Sequence, residues 1–546
     1  GYLYGFNGMN DQSYRPLVLV NLAIETALFG QKASVHHFFN VLLYALSCFF
    51  LMAFARRLLG KEGLYWAFGA CLLFTAHPIH TEVVANIKSR DEILSFLFVI
   101  LSLDQLIRFT EGKENKNLFY SLGFFVAAVW SKESTLAMVG IVPFALWLKG
   151  IKDFKTHGQT LGAFLLTSLV LIGIRALVMD SIVFEEDMDV INNSLMAASN
   201  YGEEFATNTS VMGRYLGLMF FPHPLSYDYS YNQIPIIGLA APGFLVSFVA
   251  YLGLMAAAVW LMFRQQAIGF GIVWFGMMLA LVSNFLTKVG TPMAERFLYA
   301  SSFGFCLAFA GLIWWLVQRF PKKQQLQYFL GVLGVITLLY SVKTVDRNMD
   351  WENGFTLYAS GLISAPNSAR VHNHYASQYR TELEAKPNAP ERAQWAQEAI
   401  EHYSKAIEIY PQYSEAGYNL GVTYYTMGDI PRAQQAYETV LTNHPNHINS
   451  LNNLGVIAFN ANDYNKALSY WSTILQTDPN NADALGNVGA VYHNNGNYTE
   501  ALKYYDQAIQ INPRNVQILN NVIKVCNQLG DTQRAAYYQG LLNNLR

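Results

Sequence analysis

Cysteine is scarce in this chain of 546 residues, which has only Cys48, Cys71, Cys306 and Cys526. Three lie in apolar segments, where a free cysteine packs as a small hydrophobe. No spacing suggests a disulfide framework or a metal motif. Charge is scarce as well: Asp, Glu, Lys and Arg make up 14% of residues against 52% hydrophobic, with a formal net charge of −2. That balance excludes a nucleic-acid partner, which wants a concentrated basic face. The chain also lacks an initial methionine, and no charged leader with a cleavage site opens it. The expectation is a longer protein whose first membrane helix lies upstream of Gly1.

What is present divides in two. Residues 1–345 are mainly apolar segments about twenty residues long, whereas 366–546 is polar and helix-patterned. A run of ~20 apolar residues is what a bilayer-spanning helix requires. Spans are predicted at 36–55, 64–84, 92–108, 160–179, 236–263, 267–286, 297–318 and 326–343, with a broken pair over 117–148. Residues 14–29, interrupted by Asn21 and Glu25, read as an interfacial or half-inserted helix. Residues 180–235 read as a long loop, and 346–365 as a linker.

Lys and Arg mark alternate short loops: Arg56, Arg57 and Lys61; Arg108, Lys113 and Lys116; Lys149, Lys152 and Lys155; Arg264; Arg319, Lys322 and Lys323. By the positive-inside rule that face is cytoplasmic. The opposite face then carries 77–92, the break at 131–134, 287–296 and the polar half. Ionisable groups at the mouth of a hydrophobic span usually mark function. His77, His80 and Glu82 could suggest a metal, but their spacing is irregular for one helix face and Pro78 interrupts it, so none is expected.

A repeat organises the polar half. Pro411, Pro445, Pro479 and Pro513 recur every 34 residues, as do Gly421, Gly455 and Gly489, and Ala399, Ala433, Ala467, Ala501 and Ala535. Tyr403, Tyr437, Trp471 and Tyr505 keep an aromatic at one site. This is the tetratricopeptide signature, and about five helix pairs are expected over 366–546. Each pair must stack on the next because it cannot bury its apolar face alone. Asn419, Asn453, Asn487 and Asn521 recur at one position. Their amides could grip the main chain of an extended peptide, since each both donates and accepts, or could simply suit that repeat position.

SYRPL at 13–17, HPIHTEVVANIKSRDE at 77–92, SKES at 131–134 and AERFLY at 294–299, followed by the repeats, form an ordered set. In this the chain resembles the transmembrane and tetratricopeptide-repeat O-mannosyltransferases of the C-type glycosyltransferase superfamily. The resemblance implies an all-α protein, a polytopic membrane domain of C-type glycosyltransferase kind with a C-terminal tetratricopeptide solenoid. It implies transfer of a sugar, mannose in known members, from a polyprenyl-phosphate lipid to Ser or Thr of a protein. The site would face away from the cytoplasm, in a bacterial inner membrane or the endoplasmic reticulum. The lipid-linked sugar and an extended polypeptide acceptor are the implied partners, with secretion machinery a further one.

In that family the acidic base lies in the first external loop, which would fall upstream of Gly1. Asp11 is the only carboxylate ahead of SYRPL, and Glu82 and Asp91 are the other candidates. A departing lipid phosphate wants fixed positive charge, and the planar fork of Arg meets phosphate oxygens two at a time. Arg90 and Arg296 are the first choices, then Lys132, Lys288 and Arg15, with His77 as a further hydrogen-bonding group. The competing expectation is local ion pairing of Arg90 with Asp91, Arg296 with Glu295 and Lys132 with Glu133. On the first reading Arg90→Ala lowers turnover without loss of expression. Two other classes stay open: a non-catalytic repeat scaffold anchored in the membrane, and a lipid transporter, which would show an internal repeat of the spans.

Overall fold

The computed structural model describes residues 14–61, 63–179, 188–264 and 266–545; Asp11 lies outside them. The described residues form helices and no strands, divided into two units, Gly1–Ser368 and Ala369–Arg546.

The first unit begins with α1 (Pro16–Phe29), α2 (Ala33–Leu59), α3 (Leu64–Ala76), the short α4 (Thr81–Ala85) and α5 (Arg90–Gly112). There follow α6 (Asn115–Ser131), α7 (Met138–Leu148), α8 (Phe154–Met179), α9 (Tyr201–Phe220), α10 (Pro242–Arg264) and α11 (Gln266–Ala280). The unit closes with α12 (Leu298–Val317), α13 (Lys322–Asp350) and α14 (Gly354–Ser364). Six helices among the described residues are long and apolar enough to cross a membrane: Ala33–Leu59, Ile87–Gly112, Phe154–Met179, Pro242–Arg264, Glu295–Val317 and Lys322–Asp350.

The structure corrects several boundaries. The span expected over 64–84 stops at Ala76, because Pro78 cannot continue a helix; two short turns flanking α4 carry the chain on to Arg90. The break at Lys132 falls where it was expected, between α6 and a 3-10 turn at Glu133–Ala137. The supposed 180–235 loop contains α9, a 20-residue helix. Its Glu203, Glu204 and Asn208 hide it from an apolar-run search, although it buries Val211, Tyr215 and Met219. The supposed linker is also helical: α13 runs to Asp350, and α14 starts with a capping box between Asn353 and Thr356. By compactness this stretch belongs to the first unit.

α5 is the ruler of this unit. Its 23 residues make it roughly 34 Å long at 1.5 Å per residue. Asp91 lies at its start, and Asp104 and Arg108 near its end. At that far end Arg57 bonds Asp104 at 2.8 Å, and Lys149 reaches the Arg57 carbonyl at 3.0 Å and Glu111 at 3.1 Å. The basic loops after α2, α5 and α7 therefore share one end. The 77–92 turn and the 132 break share the other.

The second unit stacks five hairpins: α15 (Ala369–Ala385) with α16 (Arg392–Ile409), α17 (Ser414–Thr426) with α18 (Ile430–Asn443), and α19 (Ile448–Asn460) with α20 (Tyr464–Thr477). α21 (Ala482–Asn494) with α22 (Tyr498–Ile511) and α23 (Val516–Leu529) with α24 (Thr532–Asn543) complete it. The repeated glycine meets the repeated aromatic. A Cβ on Gly455 would lie 2.5 Å from the Trp471 ring, and one on Gly489 would lie 2.9 Å from Tyr505. The two helices of a hairpin approach this closely because glycine leaves the space.

Candidate active site

At the end of the first unit opposite the basic loops, the ends of several helices enclose a cavity of about 420 Å³. Arg15 enters it from just before α1, and Lys88 and Asp91 from the turn into α5. Lys132 and Glu133 come from the break after α6, Arg175 from the end of α8, Lys288 from the segment after α11, and Arg296 and Phe297 from the turn into α12. These positions span most of the unit's sequence. Each lies where a helix starts or stops, so apolar helix bodies hold polar ends together.

The ion pairs are not those of sequence neighbours. Arg15 bridges Asp91 at 2.7 Å and Glu133 at 2.8 Å, with its Nε donating to Glu133 at 3.2 Å. Lys132 pairs with Glu92 and Lys288 with Glu204. Arg296 engages both oxygens of Glu82, through Nη1 at 2.8 Å and its backbone N–H at 3.0 Å. The Phe297 ring lies 5.5 Å from the Lys132 ammonium and 5.2 Å from the Arg296 guanidinium. Glu295 instead accepts the Ser226 amide at 2.5 Å and the Tyr229 hydroxyl at 2.9 Å. The local pairs fail because adjacent helical residues face directions ~100° apart, so charges meet across elements.

Two expected phosphate ligands are elsewhere. Arg90 is fully buried and does not line the cavity. Its Nε donates to Asn40 at 2.7 Å, Nη1 to Asn21 at 2.7 Å and Glu25 at 2.5 Å, and Nη2 to the His36 carbonyl at 2.7 Å. It is a staple holding α1, α2 and α5 together. Asn21 and Glu25, which interrupt the apolar pattern of α1, are its partners. His77 is also absent from the lining. Its Nδ1 accepts the Ile79 amide at 3.2 Å and its Nε2 donates to the Met219 carbonyl at 3.1 Å. Both nitrogens are used by the neutral ring, whose pKa burial pushes down to about 4.

Of the two in-chain catalytic candidates, Asp91 lines the cavity and Glu82 does not. Glu82 is 2% exposed and anchors Arg296, so its position is that of a support. Lys132, Lys288, Arg15 and Arg296 all line the cavity. Arg175 and Phe297 were given no role from sequence. An arginine inside the apolar run of α8 was the available signal, since such a residue turns toward a polar cavity.

In the repeat unit, Asn419, Asn453, Asn487 and Asn521 each stand sixth in their helices. Asn419 is buried, Asn453 donates to the Tyr437 hydroxyl at 3.0 Å, and Asn487 donates to Asn452 at 2.9 Å. A separate pocket of about 350 Å³ is lined by Tyr413, Leu420, Tyr424, Arg432, Val440 and His444, among others, and by none of the four asparagines.

Residues 13–173, which supply five of the eight charged residues lining the cavity, match the family described as dolichyl-phosphate-mannose-protein mannosyltransferase. Residues 397–428, 418–482 and 482–515 match tetratricopeptide repeat families. The chain therefore carries, ahead of tetratricopeptide repeats, a segment similar to that mannosyltransferase family. The chain is 26% identical over 471 residues to protein O-mannosyl-transferase TMTC3 of Homo sapiens, covering 78% of the chain and 48% of that protein. It is 26% identical over 452 residues to protein O-mannosyl-transferase TMTC1 of Homo sapiens, covering 76% and 50%. It is 27% identical over 371 residues to protein O-mannosyl-transferase F38B6.6 of Caenorhabditis elegans, covering 66% and 50%. The chain thus spans about half the length of these relatives.

Proposed function

We propose that the protein transfers mannose from a polyprenyl-phosphate carrier to Ser or Thr hydroxyls of a polypeptide, on the non-cytoplasmic face of a membrane. The observation that carries this reading is the charge of the cavity. Six cations line it: Arg15, Lys88, Lys132, Arg175, Lys288 and Arg296. Asp91 and Glu133 on the lining, with Glu82, Glu92 and Glu204 behind it, supply five carboxylates. Among the described residues the cations at the cavity outnumber these carboxylates, which suits the single negative charge of a sugar phosphodiester. The basic loops at the other end of α5 support sidedness, since such loops stay in the cytoplasm.

The chemistry follows from the arrangement. The acceptor hydroxyl attacks the anomeric carbon, its proton passes to a carboxylate, and the bond to the phosphate oxygen breaks with its electron pair. The departing polyprenyl phosphate gains a second negative charge, and preorganised cations in a shielded cavity favour that state over the starting ester. Lys132 and Arg296, aligned by Phe297 and backed by Glu92 and Glu82, are held for this task. Asp91 and Glu133 are the carboxylates within this cavity to which the proton can go. The polypeptide, or a partner protein that brings it, would be gripped by the repeats. The side-chain carbonyls of Asn453 and Asn487 remain open to a peptide N–H.

The test uses purified protein in detergent with polyprenyl-phosphate mannose and a Ser/Thr-rich peptide. Mannosyl-peptide should form, and Arg296→Ala or Lys132→Ala should reduce its rate by roughly 10²-fold or more, the scale of losing one oriented charge from such a site. Failure of the wild-type protein to form any product with carriers of several chain lengths would refute the reading.

A further inference from the structure

Four of the six lining cations already have a carboxylate in contact: Arg15, Lys132, Lys288 and Arg296. Arg175 has an interaction of its own. Lys88 differs. It is exposed and lines the cavity, and among the described residues its side chain has no carboxylate, hydrogen-bond or ring partner.

Its backbone, by contrast, is fixed. The Lys88 amide donates to Asn86 Oδ1 at 3.1 Å, and Asn40 Nδ2 holds the Val84 and Asn86 carbonyls at 3.3 Å each. Two residues on, the Arg90 staple locks the same turn into the core. A flexible ammonium on an immobile turn, facing a cavity whose other charges are largely compensated, is a cation held in reserve for a ligand.

We infer that Lys88 is the residue that recognises the phosphate charge of the donor as it binds, while the ion-paired Lys132 and Arg296 act on the charge that develops as the phosphate departs. The inference rests on the lipid-phosphate reading above and sharpens it. A paired cation must weaken its own ion pair to meet a phosphate. Lys88 gives up only water, so the ligand's charge is felt there first. Removing Lys88 takes away the lining cation whose side chain has no partner among the described residues, and anion selectivity should go with it.

The experiment compares binding of polyprenyl phosphate and of the uncharged polyprenol to full-length protein in detergent, for wild type, Lys88→Ala and Lys88→Arg. The wild type should prefer the phosphate. Lys88→Ala should lose that preference by about tenfold or more, as expected for one charged hydrogen bond, with binding of polyprenol and thermal unfolding unchanged. Lys88→Arg should restore it. Equal preference in wild type and Lys88→Ala, or no preference in the wild type, overturns the assignment. Transfer is read separately. If mannose transfer proceeds and Lys88→Ala matches wild type in donor KM, only the Lys88 role fails. If Lys88 governs phosphate binding but no mannose is transferred, only the mannosyl-transfer reading fails.

Discussion

Arg90 and Arg296 look alike in the sequence, each beside an acid at the start of an apolar segment, yet they end in different environments. Arg296 lines a cavity, while Arg90 satisfies four side-chain or backbone acceptors inside the helix packing. Arg90→Ala should therefore act on stability before turnover. It leaves the buried Glu25 with His36 but without its guanidinium partner, a loss on the scale of 3–5 kcal/mol, so poor yield and a lowered melting temperature in detergent are expected. Normal expression with only a kcat defect would contradict this. A second residue-scale prediction concerns pH. His447 caps α19 by accepting the Ser450 amide on Nδ1 at 3.2 Å, which requires a neutral ring. Burial, with His444 adding to it, lowers its pKa. The unfolded chain then binds the proton more readily, so the cap is intact above the ordinary histidine range and stability falls as pH drops below about 6.5. Asn481 and Asn515 hold the same repeat position. His447→Asn should accordingly reduce the acid-induced rise in amide exchange at Ile448–Asn460, by an amount worth about 1 kcal/mol. An unchanged acid response would remove His447 from the account.

At the scale of elements, the repeats illustrate a pattern whose physical cause is visible. Period 34 in the sequence is the return of one glycine to one aromatic ring. Gly455→Ala should destabilise the α19–α20 hairpin by roughly 1–3 kcal/mol, the usual effect of adding a methyl group to a filled core. Proteolysis within Ile448–Thr477 would report it, and a wild-type digestion rate would show that the hairpin can open to admit the methyl. The membrane elements were legible where they are lipid-facing. α8 and α10 expose Leu165, Leu166, Leu169, Val246, Val249 and Val259, so apolar residues dominate both helices, although Arg175 falls within the run of α8. α9 was not legible, because a helix packed among others can carry Glu204 toward Lys288 and Asn208 into the interior without facing lipid. α3 is shorter than the apolar run suggests, since the segment beyond Pro78 is apolar through burial and not through spanning.

For the whole molecule, the proposed pairing of a mannosyl-transfer domain with repeats that hold polypeptide predicts a division of labour. Removal of 369–546 should leave mannosylation of short peptides intact and abolish that of full-length secreted proteins, as read by intact-protein mass spectrometry. Survival of both would deny the repeats any role in delivery. The sequence by itself determined the two-part plan, the repeat, the alternation of basic loops and the motifs that carry the resemblance. All of these are periodic or contiguous, so local composition suffices to encode them. Only the tertiary structure decided which charges share a cavity. Lys132 meets Glu92, Arg15 meets Asp91 and Glu133, and Arg296 meets Glu82, across separations that no local pattern records. An ion pair forms where helix ends converge in space, and convergence is fixed by packing of apolar helix bodies far from the charges themselves.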